Sequence, residues 1–80
     1  MNSLIEERQT THGDFSDTAR VTQAIKAALE SGPHYAHATD VGKEAAAMIA
    51  SKLARIVCGD PRFKDHWIDI AGYAGLAGNE

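Results

Sequence analysis

Apolar residues recur along this chain at helical spacing. Val21, Ile25, Ala28 and Leu29 fall at i, i+4, i+7 and i+8, which puts them on one stripe of an α-helix. The pattern predicts that helix from Asp17 to about Ser31, capped by Asp14 or Ser16 and ended by Gly32-Pro33. A second stripe, Ala45, Ile49, Leu53 and Ile56, predicts a helix from about Val41 to Val57 behind a Thr39 or Asp40 cap. Phe63, Trp67, Ile70, Ala71 and Ala74 form a third, with Asp60 as N-cap and Pro61 at the first helical position, where its missing N–H costs nothing. Leu4 and Ile5 mark a shorter helix over about residues 2–10, broken at His12-Gly13-Asp14-Phe15. No useful length alternates as a strand does. The expectation is therefore all-α: a small antiparallel bundle of four helices in one domain, residues 1–80. Its expected core is Phe15, Ile25, Leu29, Ile49, Leu53, Ile56, Phe63, Trp67 and Ile70.

Composition adds a constraint on size. Fourteen of the 80 residues are alanine and few are bulky and apolar, so a lone copy has a thin core against an ordering cost of about 1.5 kcal/mol per residue. A homo-oligomer is the expected remedy. No apolar run approaches the roughly 18 residues of a membrane span, and the start MNSLIEERQT carries acidic residues where a signal peptide needs basic then apolar ones. A single cysteine, Cys58, makes no internal disulfide or Cys-based zinc site. Together these predict a cytoplasmic protein. A net charge of −3 supplies no basic field for polymeric nucleic acid; a small anionic ligand needs only a few placed cations.

Candidate chemistry gathers on the last two helices. Lys52 shares the core-facing side with Ala45, Ile49 and Ile56. Either its methylenes pack while the ammonium reaches water, or the ammonium meets a carboxylate or phosphate in a pocket. Glu44 and Arg55 lie beside that stripe, where solvated surface pairs are the plain alternative. Asp65 and Asp69 share a face four residues apart, with His66 three before Asp69 and Tyr73 four after it. Like charges at that spacing repel, so a cation is expected to offset them: Mg²⁺ held by oxygen ligands, or Lys52 and Arg55. The plain alternative makes Asp65 a helix-dipole partner and Asp69 solvated. The polar groups of His12-Gly13-Asp14-Phe15 either cap the following helix, the role expected of Asp14, or reach a ligand; Phe15 and Trp67 read as core anchors, with base-stacking platforms as the alternative, and Cys58 as packing. No phosphate loop, nucleophile elbow or triad is present.

The series Thr11-His12-Gly13-Asp14-Phe15, Glu44-Ala45, Lys52-Leu53-Ala54-Arg55-Ile56, Gly59-Asp60-Pro61 and Asp65-His66-Trp67-Ile68-Asp69-Ile70-Ala71-Gly72-Tyr73 resembles a family of small phage and prophage proteins of unassigned function. The likeness spans nearly the whole chain and implies the cytoplasm of an infected or lysogenic bacterium. More distantly, Lys-x-x-Arg on one helix followed by Asp-x-x-x-Asp and Tyr on the next looks like a phage nucleotide-modification-associated domain and the MazG-like all-α nucleotide pyrophosphohydrolases. Those enzymes hold Mg²⁺ with Glu-x-x-Glu and Glu-x-x-Asp and cleave nucleoside triphosphates to monophosphate and pyrophosphate. Here the first pattern reads Glu44-Ala45-Ala46-Ala47 and the second has Asp65 and Asp69 at a different spacing. Carried over, Glu44, Asp65 and Asp69 are the candidate metal ligands, with Lys52 and Arg55 as phosphate contacts.

Two functions follow as expectations. In one, the protein binds, and in its fuller form hydrolyses, a nucleotide: Mg²⁺ sits on Glu44, Asp65 and Asp69, and Lys52, Arg55, His66 and Tyr73 hold the ligand. In the other, a non-catalytic phage accessory protein binds and inhibits a host protein such as a defence component. A plain helical oligomerisation module is the third alternative.

Overall fold

A computed structural model describes residues 9–80 of the chain, and the described residues are helical with no strand. After a helical turn over residues 9–12 come α1 (Phe15–Glu30), a short 3₁₀ turn (Tyr35–His37), α2 (Asp40–Cys58) and α3 (Lys64–Gly78). The described part thus holds three helices rather than a four-helix bundle; the helix expected over residues 2–10 lies mostly outside it.

Local chemistry sets the ends of these elements. The Thr39 hydroxyl accepts the Gly42 N–H at 3.0 Å and caps α2 as expected. Asp60-Pro61 departs from expectation. The Asp60 carboxylate accepts the Arg62 N–H at 2.9 Å and its carbonyl accepts the Phe63 N–H at 3.1 Å. That closes a β-turn with Pro61 in its second place, and α3 begins only at Lys64, with Phe63 in the N-cap position. Asp14 does sit at the N-cap of α1, yet its carboxylate caps no backbone N–H. It accepts instead from the Ser16 hydroxyl and the Gln9 side-chain amide.

Helix α2 packs against both α1 and α3. The Thr39 hydroxyl at its start donates to the Glu80 carboxylate just beyond α3, at 2.6 Å, while its other end turns directly into α3, so α2 and α3 run antiparallel. A middle helix must bury two faces. Ala45 and Ile56 occupy one; Ala50 and Ala54, 1% and 0% exposed, lie roughly 150° round at 3.6 residues per turn. These four are the buried apolar residues among those described, and Thr18 and His66 are the buried polar ones.

The core is therefore smaller and more alanine-built than the aromatic stripes predict. Ile56 is buried, while Ile25, Ile49, Leu53, Phe63 and Ile70 are half-buried. Phe15, Trp67 and Leu29 are exposed, at 81%, 51% and 41%. Alanine on α2 explains the difference: where side chains end at Cβ, neighbouring helices come close and bulky residues are displaced to the margins. Trp67 is no central anchor.

Candidate functional site

The site forms where residues 9–15 cross the junction of α2 and α3. Two glycines permit that crossing. Gly13 has φ 85°, and a β-carbon there would lie 2.6 Å from Cys58 Cβ and 2.7 Å from the Cys58 carbonyl. A β-carbon on Gly59 would overlap the Thr11 carbonyl and lie 2.7 Å from the Gly13 nitrogen. With both side chains absent, the Asp60 N–H reaches the Thr11 carbonyl at 3.1 Å and pins the segment to the end of α2.

Pinned this way, His12 meets α3. Its Nδ1 is 2.8 Å from His66 Nε2, one ring donating to the other. Their centroids are 4.7 Å apart, and Phe63 stands 5.6 Å from His12 and 4.9 Å from His66. His66 is 2% exposed, and its Nδ1 has no hydrogen-bond partner among the described residues. Burial pushes the His66 imidazolium below the ordinary histidine value; His12, Lys52 and Arg55 push in the same direction, against the Thr11 backbone.

That depression fixes a pH dependence. Below about pH 6.5 the unfolded chain protonates this histidine while the folded chain does not. Stability held above that pH is accordingly lost as pH falls towards the lower folded value. The melting temperature of the parent is expected to drop over this window, and His66→Phe, which keeps a ring in the niche, is expected to flatten that drop. An unchanged slope would place the titration elsewhere.

Beside the histidine pair lies a cavity of about 660 Å³. Helix α2 contributes Lys52 and Arg55 to its wall, and α3 contributes Asp65, His66 and Asp69. Lys52 Nζ pairs with Asp69 Oδ2 at 3.0 Å; the lysine side chain is 13% exposed and the aspartate 44%. With one partner so open to water the pair contributes about 1 kcal/mol at most, well short of a buried pair. Arg55, one turn on, is half-buried, and its guanidinium makes no ion pair or hydrogen bond among the described residues.

Five of the seven residues singled out from the sequence thus share one cavity: Lys52, Arg55, Asp65, His66 and Asp69. Glu44 and Tyr73 are not part of its wall. Glu44 is exposed and, eight residues before Lys52, lies about 12 Å away along the helix. Among the described residues no three His, Cys, Asp or Glu side chains group to hold a metal, so the Glu44, Asp65 and Asp69 donor set does not fit Mg²⁺. His12, Phe15, Phe63 and Thr18 also line the cavity, and no spacing in the sequence assigns them to it. His12-Gly13-Asp14-Phe15 is visible there as a turn, but only the Gly13–Cys58 and Gly59–Thr11 approaches bring it over α2.

No described helix is long and apolar enough to cross a membrane. Neither a curated protein nor a solved structure matches the chain. The match that is found runs over residues 1–80, and by it the chain belongs to the DUF6378 family, a domain of unknown function.

Proposed function

We propose that the cavity binds the phosphate groups of a nucleotide, with Arg55 as the principal contact and Lys52 beside it. The observation that carries this reading is Arg55: a guanidinium in the wall of a cavity, without a carboxylate of its own among the described residues. Arginine's fork of donors suits phosphate oxygens, and surroundings that exclude part of the water strengthen the contact. Lys52 adds a second charge while Asp69 holds its ammonium in place. Asp65, Asp69 and Asp14 at the same wall disfavour anions that lack a group able to meet a carboxylate. The distant likeness to nucleotide pyrophosphohydrolases points the same way. No metal donor set is assembled among the described residues, and the proposed activity is binding.

The test is a titration of the purified protein with deoxynucleoside triphosphates in EDTA and in MgCl₂, followed by melting temperature. A shift in both buffers that vanishes in Arg55→Gln supports the reading. No shift for the parent in EDTA, whether or not one occurs in MgCl₂, contradicts it.

A second surface bears on the accessory-protein reading. Ile68, Gly72, Gly75 and Leu76 lie at i, i+4, i+7 and i+8 on the side of α3 away from His66, and Ile68 and Leu76 are 65% and 67% exposed. A β-carbon at Gly72 or Gly75 would meet open space. From Ile70 to Gly78 the helix carries no charge, so the C-terminal part of this stripe brings none to a contact between two copies, and its glycines allow close approach of the two backbones. We infer that a second copy covers it, completing a homodimer, and that any host protein meets the dimer elsewhere. Sedimentation is expected to give twice 8.6 kDa for the parent and a single chain for Leu76→Glu. A monomeric parent would contradict the dimer and leave the stripe to a host partner, in the phage-infected cytoplasm that the family resemblance implies.

A further inference from the structure

The cavity is larger than phosphates alone require. At about 660 Å³ it falls within the 300–1,000 Å³ span of sites that enclose a drug-sized molecule, so the anionic end leaves room for a second, larger part of the ligand. The apolar part of the described wall identifies that part. Among the described residues it holds no leucine, isoleucine, valine or methionine, and its rings are those of Phe15, Phe63, His12 and His66. Ring surface of this kind matches a planar ring better than an alkyl chain.

The rings are not equivalent. Phe63 is half-buried and already packed against His12 and His66. Phe15 is 81% exposed and makes no ring contact among the described residues. It is the first residue of α1, and its backbone is held by the Thr18 hydroxyl, which donates to its carbonyl at 2.9 Å. A phenyl ring contributes little to this fold when left so open to water, yet it stands on a firm backbone at the wall of the cavity that holds Arg55 and Lys52.

We infer that Phe15 is the platform on which the ligand's planar heteroaromatic ring stacks, with the phosphates running inward to Arg55 and Lys52. The inference rests on the nucleotide reading above and adds the residue that separates nucleotides from inorganic polyphosphates. Stacking tolerates any base, since each has a π face, so the platform selects for a base without selecting which one.

The experiment is calorimetric titration of the parent, Phe15→Ala, Phe15→Trp and Arg55→Gln with dATP, dTTP and inorganic tripolyphosphate. The parent is expected to prefer the nucleotides over tripolyphosphate by roughly tenfold or more. Phe15→Ala erases that preference while tripolyphosphate binding stays level, Phe15→Trp keeps it, and Arg55→Gln weakens all three ligands. Circular dichroism of Phe15→Ala is expected to match the parent, because the removed ring is solvent-exposed. If Phe15→Ala binds nucleotides as the parent does, or the parent shows no preference, the platform is overturned and the anion site stands. If the parent binds none of the three, the nucleotide reading falls and the platform with it.

Discussion

Replacing Gly59 by alanine is expected to lower the melting temperature by about 10–25 °C, the equivalent of about 3 kcal/mol in a domain of this size. The new methyl group would overlap the Thr11 carbonyl and crowd the Thr11 carbonyl carbon at 2.6 Å and the Gly13 nitrogen at 2.7 Å. Each of these is a backbone atom, so no side-chain rotation relieves the contact. Residues 11–13 must lift away, which breaks the Asp60 N–H to Thr11 bond and leaves a polar pair without its partner, a further cost of about 1–3 kcal/mol where water cannot enter. His12 travels with the segment and leaves His66. Thermal unfolding of Gly59→Ala checks the magnitude, and the imidazole resonances of His66 report whether its neighbour has gone. A variant that melts with the parent would mean that the 9–15 segment does not rest on the end of α2.

The second large effect is expected at Ala54. This residue is 0% exposed on the middle helix, so Ala54→Leu has nowhere to place its added carbons. Overpacking of this kind costs about 1–3 kcal/mol, and the value is expected at the upper end because the core holds few residues to rearrange. Ala54→Gly tests the same position from the other side, losing about 1 kcal/mol of helix preference together with the contacts of the methyl group. Denaturant unfolding of the two variants brackets the site: both fall below the parent if the helices meet at Ala54. An Ala54→Leu variant more stable than the parent would reveal unfilled space there.

Helix positions were legible in the sequence because spacing and punctuation agree. Gly32-Pro33 and Gly59-Asp60-Pro61 mark the interruptions, and the described helices fall between them. What faces inward was much less legible. A stripe drawn through the largest apolar residues assumes one buried face per helix, but α2 buries two, and the more deeply buried one carries only Ala50 and Ala54. Alanine is neutral in such a pattern, being as common on helix surfaces as inside. An expected core weighted towards the largest apolar residues consequently includes Phe15 and Trp67, where small side chains are the buried ones. Asp60-Pro61 fits an N-cap and a β-turn equally well by residue type, and the choice depends on the Asp60 carboxylate reaching Arg62.

The candidate site was legible to the extent that it is built from neighbouring turns. Lys52 and Arg55 are three apart and Asp65, His66 and Asp69 lie within two turns, so helical geometry alone gathers each set. Glu44 shares a side of α2 with Arg55 and answers to the likeness to a metal motif, but its distance along the helix keeps it from the group. His12 and Phe15 enter through the close approach of two glycines far apart in sequence, a tertiary contact that no local spacing announces. The cavity's aromatic wall depends on that same contact.

Arg55 and Lys52 are proposed to make this cavity a nucleotide phosphate site. Its most direct test is the melting temperature of the parent and Arg55→Gln with a deoxynucleoside triphosphate in EDTA. A ligand-dependent rise is expected for the parent and none for Arg55→Gln; a parent that does not respond, or a variant that responds equally, would overturn the phosphate site.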